Sequence, residues 1–196
     1  MSFMRAFLAL WLLAGLAVSA EAEQKVRVGV YQNLPMVAYD ESGQGLGIFP
    51  ELLNNIAAAE GWTLQYVPGT WAQCLERLEN GQIDLLAAIA YTEERSRRFD
   101  FNHEAVLSNW GQLYIAPGSH IESILDLDGK TVATLSKDVF AEGPSGLKLL
   151  ARQFEININY LETTDYAAAL QAAVAGEADA VLANRFFLEH HQDDRL

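Results

Sequence analysis

Apolar and polar positions along this chain keep two different rhythms, and the changes of rhythm mark its elements. "KVRVGV" (25–30) sets Val26, Val28 and Val30 on one side, as a strand does. From Pro50 onward, Leu52, Leu53, Ile56 and Ala57 follow helical spacing and predict one apolar helix face, with proline in the first turn and Gly61 as the stop. "WTLQYV" (62–67) alternates again. A second helix is predicted over 71–80, with Leu75 and Leu78 turned inward and Gly81 closing it, and it leads into the strand "IDLLAAI" (83–89), whose continuous apolar run from Leu85 to Ala90 reads as buried on both faces. This order is βαβαβ, the arrangement of a parallel sheet with helices on its faces. Gly43, Gly45 and Gly47 mark a turn region, and their G-x-G-x-G spacing differs from the G-x-G-x-x-G fingerprint of dinucleotide binding.

The same grammar then repeats. "GKTVATL" (129–135) predicts a strand, "GLKLLARQF" (146–154) a helix and "ININYL" (156–161) a strand. "TWAQCLERLENGQIDLL" (70–86) matches "DYAAALQAAVAGEADAVL" (165–182) at an offset of 95 residues: Trp71 meets Tyr166, Leu75 meets Leu170, Gly81 meets Gly176 and Asp84 meets Asp179. The expected architecture is two α/β lobes in tandem, the first over 23–110 and the second over 111–196, joined by the extended stretch "AVLSNWGQLYIAPGS" (105–119) as a hinge.

Open α/β sheets bind ligands beyond the carboxyl ends of their strands. Here those ends hold residues 31–33, 88–95, 136–138 and 184–185. In "LLAAIAYTEERSRRFDFN" (85–102) a buried strand runs into Thr92, a helix cap followed by the first-turn acids Glu93 and Glu94. Arg95 follows one turn into that helix and points toward the cleft, where its fork can hold a carboxylate by two parallel hydrogen bonds. The competing reading is a surface pair of Arg95 with Glu93 or Glu94.

Composition narrows the function classes. The formal net charge of −13 and pI near 4.6 argue against nucleic acid and anionic membrane surfaces as partners. One positive charge in residues 1–5 precedes "AFLALWLLAGLAVSA", which is short for a membrane span and suits a signal peptide over 1–22, with an uncleaved anchor as the alternative. No cysteine follows that run to take a lipid. Cys74, the sole cysteine, has no disulfide partner and reads as core filling beside Leu75 and Leu78. His103, His120, His190 and His191 are scattered, "EHHQDD" (189–194) reads as a solvated tail, and "GPSG" (143–146) lacks nucleophile-elbow spacing. "RSRR" (95–98) is too short for a nucleic-acid patch. No cofactor or metal is implied.

Residues 25 to about 190 resemble the family 3 bacterial extracellular solute-binding proteins. The resemblance is carried by "VRVGV", "LPMVAYDESGQGLGIFPELLNNIA", "TWAQCLERLENGQIDLLAA", "AYTEERSRRFDFN" and "GEADAVLANRFF". It implies a two-lobed periplasmic-binding-protein (Venus flytrap) fold of type II-like form. It also implies a periplasmic protein that binds an amino-acid-like or organic-acid solute for transport or transmembrane sensing. The implied partners beyond that small-molecule ligand are an ABC permease or a membrane-linked signalling module of the same chain. "NWGQLY" and "NRFF" are most similar to the versions fused to membrane sensor kinases or cyclic-nucleotide synthases. An enzyme on the same fold, dehydratase-like, is the alternative, with Glu93, Glu94 and Asp138 as its cleft acids; a degenerate interaction domain is another.

By the same resemblance, Arg95 clamps a ligand carboxylate, Trp71 stacks on the ligand and Asn33 lines the pocket from the first loop. Ala88 and Ala90 stand where the family has hydroxyl residues, and Lys137-Asp138 where it has Gly-Thr. Asn184 stands where an aspartate commonly binds the amino group. Arg95, Trp71, Asn33, Ala90, Asp138 and Asn184 are the expected site. With Asn184 neutral, the expected ligand is an anion with no obligatory ammonium, unless Asp138 restores the missing charge. The family's chain also returns to close the first lobe. That return is not expected in a sequence stopping at "FFLEHHQDDRL", so an apolar patch on the first lobe is expected to stay uncovered.

Overall fold

The computed structural model describes residues 24–115 and 119–190, with side chains as far as residue 187. The predicted signal peptide, residues 116–118 of the predicted hinge and the side chains of "EHHQDD" lie outside the described residues. Strand β1 (Gln24–Val30) is the centre of the first sheet, flanked in parallel by β4 (Trp62–Pro68) and β5 (Leu85–Leu86). A small antiparallel hairpin, β2 (Ala38–Tyr39) and β3 (Gly45–Leu46), leads into helix α1 (Ile48–Glu60). Gly61 closes α1 at φ 70°, a left-handed conformation that suits a residue without Cβ. Helix α2 (Trp71–Glu79) opens on a capping box in which Thr70 and Gln73 satisfy each other's backbone N–H groups. It packs over Gly29, where a Cβ would sit 2.6 Å from Ile83 Cδ1.

Two expectations fail in this lobe. The inward side of α1 is Pro50, Leu53 and Ala57, whereas Leu52 and Ile56 are each 38% exposed and continue Ile48 in an outward stripe. They lie about 100° round the helix from the residues that follow them, and α1 meets its neighbours along a narrower line than the apolar pattern suggests. The predicted buried strand over 83–89 pairs only at Leu85 and Leu86. Ala88, at φ 56°, then swings the chain across the carboxyl end of the sheet. Thr92 caps the single-turn helix α3 (Glu93–Ser96) as expected.

The second sheet has the order β6-β9-β7-β8. Strands β7 (Thr131–Leu135), β8 (Asn159–Thr163) and β9 (Ala180–Asn184) are parallel, while β6 (Gly111–Ile115), from the predicted hinge, runs antiparallel against β9. The lobe is therefore mixed rather than purely parallel. Strand β8 also begins three residues later than "ININYL" suggests, because Ile156 and Ile158 pack beneath the sheet before the ladder starts. Helices α4 (Val139–Glu142), α5 (Leu147–Gln153), α6 (Tyr166–Val174) and α7 (Arg185–His190) complete the lobe, with a 3-10 turn at Ile124–Leu127. One core crosses the junction: Val28, Trp71 and Ile83 of the first lobe share a buried cluster with Leu135, Tyr166 and Val181 of the second. The molecule is a two-lobed mixed α/β fold.

Candidate functional site

A cavity of about 760 Å³ lies between the lobes, where both sheets end. All six expected positions line it: Asn33, Trp71, Ala90 and Arg95 from the first lobe, Asp138 and Asn184 from the second. Phe49, Ile89, Phe99, Phe101, Val139 and Phe140 supply apolar wall.

Arg95 is held by local backbone. The Thr92 Oγ1 cap accepts from its N–H at 3.1 Å, and its Nη1 donates back to the Ala90 carbonyl at 3.1 Å. Nη2 reaches across the cleft toward the Lys137 carbonyl at 3.4 Å. The guanidinium carbon sits 5.3 Å from the centroid of the Trp71 ring. Burial lowers the arginine's pKa, and the charge of Asp138 works in the opposite direction. Among the described residues Arg95 makes no ion pair; Glu93 pairs with Arg97 at 2.8 Å, so the surface-pair reading is not what the structure adopts. At least two of its five N–H donors remain for a ligand.

Trp71 is buried, donates from Nε1 to the Lys137 carbonyl at 3.1 Å, and packs at 54° against Tyr31 with ring centroids 5.0 Å apart. Ala88 and Ala90 contribute carbonyls in place of hydroxyls: Tyr31 donates to Ala88 O at 3.0 Å, and Arg95 to Ala90 O. Lys137, at φ 60°, turns its own carbonyl toward both Trp71 and Arg95. Nothing in a lysine's identity announces that role, because a backbone acceptor has no sequence signature.

Asn184 differs from expectation. It ends the fully buried β9 and is itself 1% exposed. Its Nδ2 donates to Asn33 Oδ1 at 2.8 Å, and its Oδ1 accepts from the Phe186 N–H at 3.1 Å. Both ends of the amide are thus committed, one of them to a latch between the lobes. Asp138 is the carboxylate at this depth, 4% exposed. Its Oδ1 caps α4 by accepting from the Phe140 N–H at 3.1 Å, and its Oδ2 accepts from the Tyr166 hydroxyl at 2.8 Å. Burial raises its pKa to about 6, outweighing these hydrogen bonds and the pull of Arg95. Burial and the adjacent carboxylate push the Tyr166 phenol well up. Tyr166 was not among the expected residues, yet its match to Trp71 in the internal repeat carried the signal. The cleft can therefore present one cation and one anion, from opposite lobes, that do not pair with each other.

Comparison with known proteins follows this geometry. The family description "Bacterial extracellular solute-binding proteins, family 3" matches residues 26–137. The chain is 31% identical over 113 residues to the glutamine-binding protein of Geobacillus stearothermophilus, covering 57% of this chain and 40% of that protein. It is 25% identical over 175 residues to the probable amino-acid-binding protein YxeM of Bacillus subtilis (strain 168), covering 89% and 64% respectively. The chain thus spans less than two thirds of either relative. An ancestral arginine-binding protein bound to arginine shares the fold at a TM-score of 0.75 and 23% identity, over 86% of this chain and 74% of that one. No helix among the described residues is long and apolar enough to cross a membrane. By this match over more than half of its length, the chain belongs to the bacterial extracellular solute-binding proteins of family 3.

Proposed function

We propose that this chain captures a small amino-acid-like or organic-acid solute outside the cytoplasm, in the periplasm after export by its first 22 residues, and performs no chemistry on it. The occupied state would be read by an ABC permease or by a membrane-linked signalling module of the same chain. The observation that carries this reading is Arg95, a guanidinium that has no ion-pair partner among the described residues and faces a cavity of ligand size. The names of the relatives, glutamine-binding and amino-acid-binding, point the same way. Trp71 offers a flat wall already braced by Tyr31. The Asn33–Asn184 hydrogen bond offers the lobes a contact to remake each time they close on a ligand.

Arg95→Ala is the test. Calorimetric titration with amino acids and organic acids should show binding weakened by about 2–5 kcal/mol, as when one side of a buried charge pair is removed. The melting temperature of the empty protein should change little, since Arg95 contributes little to the core. Unchanged affinity in a folded variant would sink the role. Mass spectrometry of the solute after incubation checks that it is returned unaltered, which a dehydratase-like activity would contradict.

A further inference from the structure

Away from Arg95 and Asp138, the wall of the cavity has no buried charge among the described residues. The other acidic or imidazole side chains that line it, Asp100 and His103, are both exposed. Asn102 is exposed too, and the half-buried Asn109 amide is committed. Its Oδ1 accepts from the Trp110 N–H at 3.0 Å and its Nδ2 is directed at the Met36 sulfur at 3.6 Å. The rest of the wall is apolar and buried or half-buried, with Met36, Phe49, Phe99 and Phe101 from the first lobe and Phe140 from the second. Tyr91 braces Phe101 edge-on, with ring centroids 5.3 Å apart. A carboxylate on Arg95 would fill only a small part of about 760 Å³, and the remaining space receives the body of the ligand. A charged or amide body would give up water there without gaining a partner, whereas an apolar one gains by burial.

The width of that space depends on a glycine behind the wall. Gly111 opens β6 and pairs with Asn184 at the end of β9. Its φ is not positive, so backbone conformation does not call for glycine. Phe140 does. A Cβ on Gly111 would fall 2.7 Å from Phe140 Cβ and 3.0 and 3.2 Å from its Cγ and Cδ1, far inside ordinary carbon–carbon packing. The start of α4 is tied down by the Asp138 cap on the Phe140 N–H. Phe140 lines the cavity and Gly111 does not, so the phenylalanine stands between the glycine and the ligand space.

We infer that the cleft selects a carboxylate ligand with a large apolar body, of the size of an aromatic side chain, and that Gly111 is a specificity-determining residue because it lets Phe140 sit back and keeps that space wide. This deepens the proposed function and rests on the role given there to Arg95. It is independent of whether the ligand also carries an amino group.

The experiment titrates the purified chain with two series that share the carboxylate: phenylalanine, alanine, glutamine and arginine, and the hydroxy acids phenyllactate, lactate and malate. In whichever series binds, the phenyl member should bind about 30-fold or more tightly than alanine or lactate. It should also exceed the polar members, glutamine and arginine or malate, by about 10-fold or more. Gly111→Ala should cut the phenyl-to-methyl ratio to about 5-fold or less, chiefly by weakening the phenyl ligand. Phe140→Ala should also lower the ratio, by removing one wall, and it carries the test if Gly111→Ala does not fold. Arg95→Ala should weaken every member that binds. Methyl or polar members that match the phenyl ones on the wild-type chain, with Arg95 still required, would overturn the inference and leave the Arg95 reading standing. A ratio unmoved in folded Gly111→Ala and Phe140→Ala variants would overturn it as well, as would binding of no member of either series. Binding indifferent to Arg95→Ala would bring down the Arg95 reading itself.

Discussion

Asp84 in the first lobe accepts the Arg27 N–H at 2.8 Å and returns its own N–H to the Arg27 carbonyl, also at 2.8 Å; Asp179 in the second lobe does the same with Thr131, at 2.8 Å both ways. In each lobe this clamp fastens the chain entering the last parallel strand to the first, at the middle of β1 in one lobe and at the opening residue of β7 in the other. A glycine at positive φ precedes each clamp, Gly81 at 66° and Gly176 at 78°. Each preceding helix opens on a buried aromatic behind a side-chain cap, Trp71 after Thr70 and Tyr166 after Asp165. Where the lobes agree, they share scaffold. They diverge in the cleft: β5 spans two residues and yields to a turn and the single-turn helix α3 bearing Arg95, whereas β9 spans five buried residues and ends in a latch. One lobe presents a cation and the other an anion. The comparison teaches that the repeated positions build the support, from which Trp71 and Tyr166 reach the cavity wall, and that the unrepeated ones carry the charges of the site.

The largest expected effect tests whether the two aromatics are equivalent supports. Trp71→Ala and Tyr166→Ala should each destabilise the empty protein by about 3–5 kcal/mol, the usual cost of deleting a buried aromatic. Both belong to the cluster that spans the lobes, so urea unfolding should remain a single transition in each variant. A cost below about 1 kcal/mol for either one would break the equivalence.

Next comes the cost of holding the anion. Asp138 faces Tyr166, Tyr31, Arg95 and Glu142, and burial sets its pKa at about 6, above its ordinary value of 3.8. As pH rises from about 4, the unfolded chain releases this proton before the folded one does, so stability falls until the pH passes about 6 and then levels. The drop should be about 2–3 kcal/mol. Asp138→Asn should abolish it, leaving the empty variant more stable than the wild type at pH 7. Carboxylates held low, such as Asp40 and Asp126, act in the opposite sense at more acid pH. The decisive quantity is therefore the difference between variant and wild-type melting curves from pH 4 to 7. A difference that stays flat would mean that the site carries no strain from its buried charge.

The features legible in the sequence are those fixed by neighbours along the chain. Helix stops at Gly61, Gly81 and Gly176, the Thr92 cap and the order of elements depend on local backbone preference, and they appear where the pattern puts them. Features set across space were harder to read. Helical spacing gives α1 a direction but not the width of the surface that covers it, so Leu52 and Ile56 share the apolar pattern and yet stay exposed. The run 85–90 stays apolar past the end of β5, and only the left-handed Ala88 shows where the strand ends. The six candidate residues converge on one cavity because each lies at or beyond the carboxyl end of a strand. The bond that occupies Asn184 is made by Asn33, 151 residues earlier, and spacing cannot reveal such a partner.

The smallest effect distinguishes the two clamps themselves. Asp84 receives Arg27 Nε at 2.9 Å and Nη2 at 2.6 Å in addition to the backbone N–H, whereas Asp179 has only Lys130 Nζ at 3.5 Å beside its own. The guanidinium and the N–H of Arg27 hold the Asp84 carboxyl down at about 2, so its contribution is present above the ordinary carboxylate range and fades as pH falls toward 2. An asparagine can still accept the backbone N–H at either position, so the substitution removes the charge and spares the clamp. Both pairs are partly exposed, with side chains between 39% and 45% accessible, and solvent screens them. Asp84→Asn should then cost about 1 kcal/mol and Asp179→Asn about half that. Double-mutant cycles with Arg27→Ala and Lys130→Ala isolate the pairwise parts. A larger coupling in the first lobe is expected, because its fork makes two bonds where the lysine makes one longer contact. Equal couplings would show that the clamps owe their strength to the shared backbone bond alone, and the lobes would then differ only in the cleft.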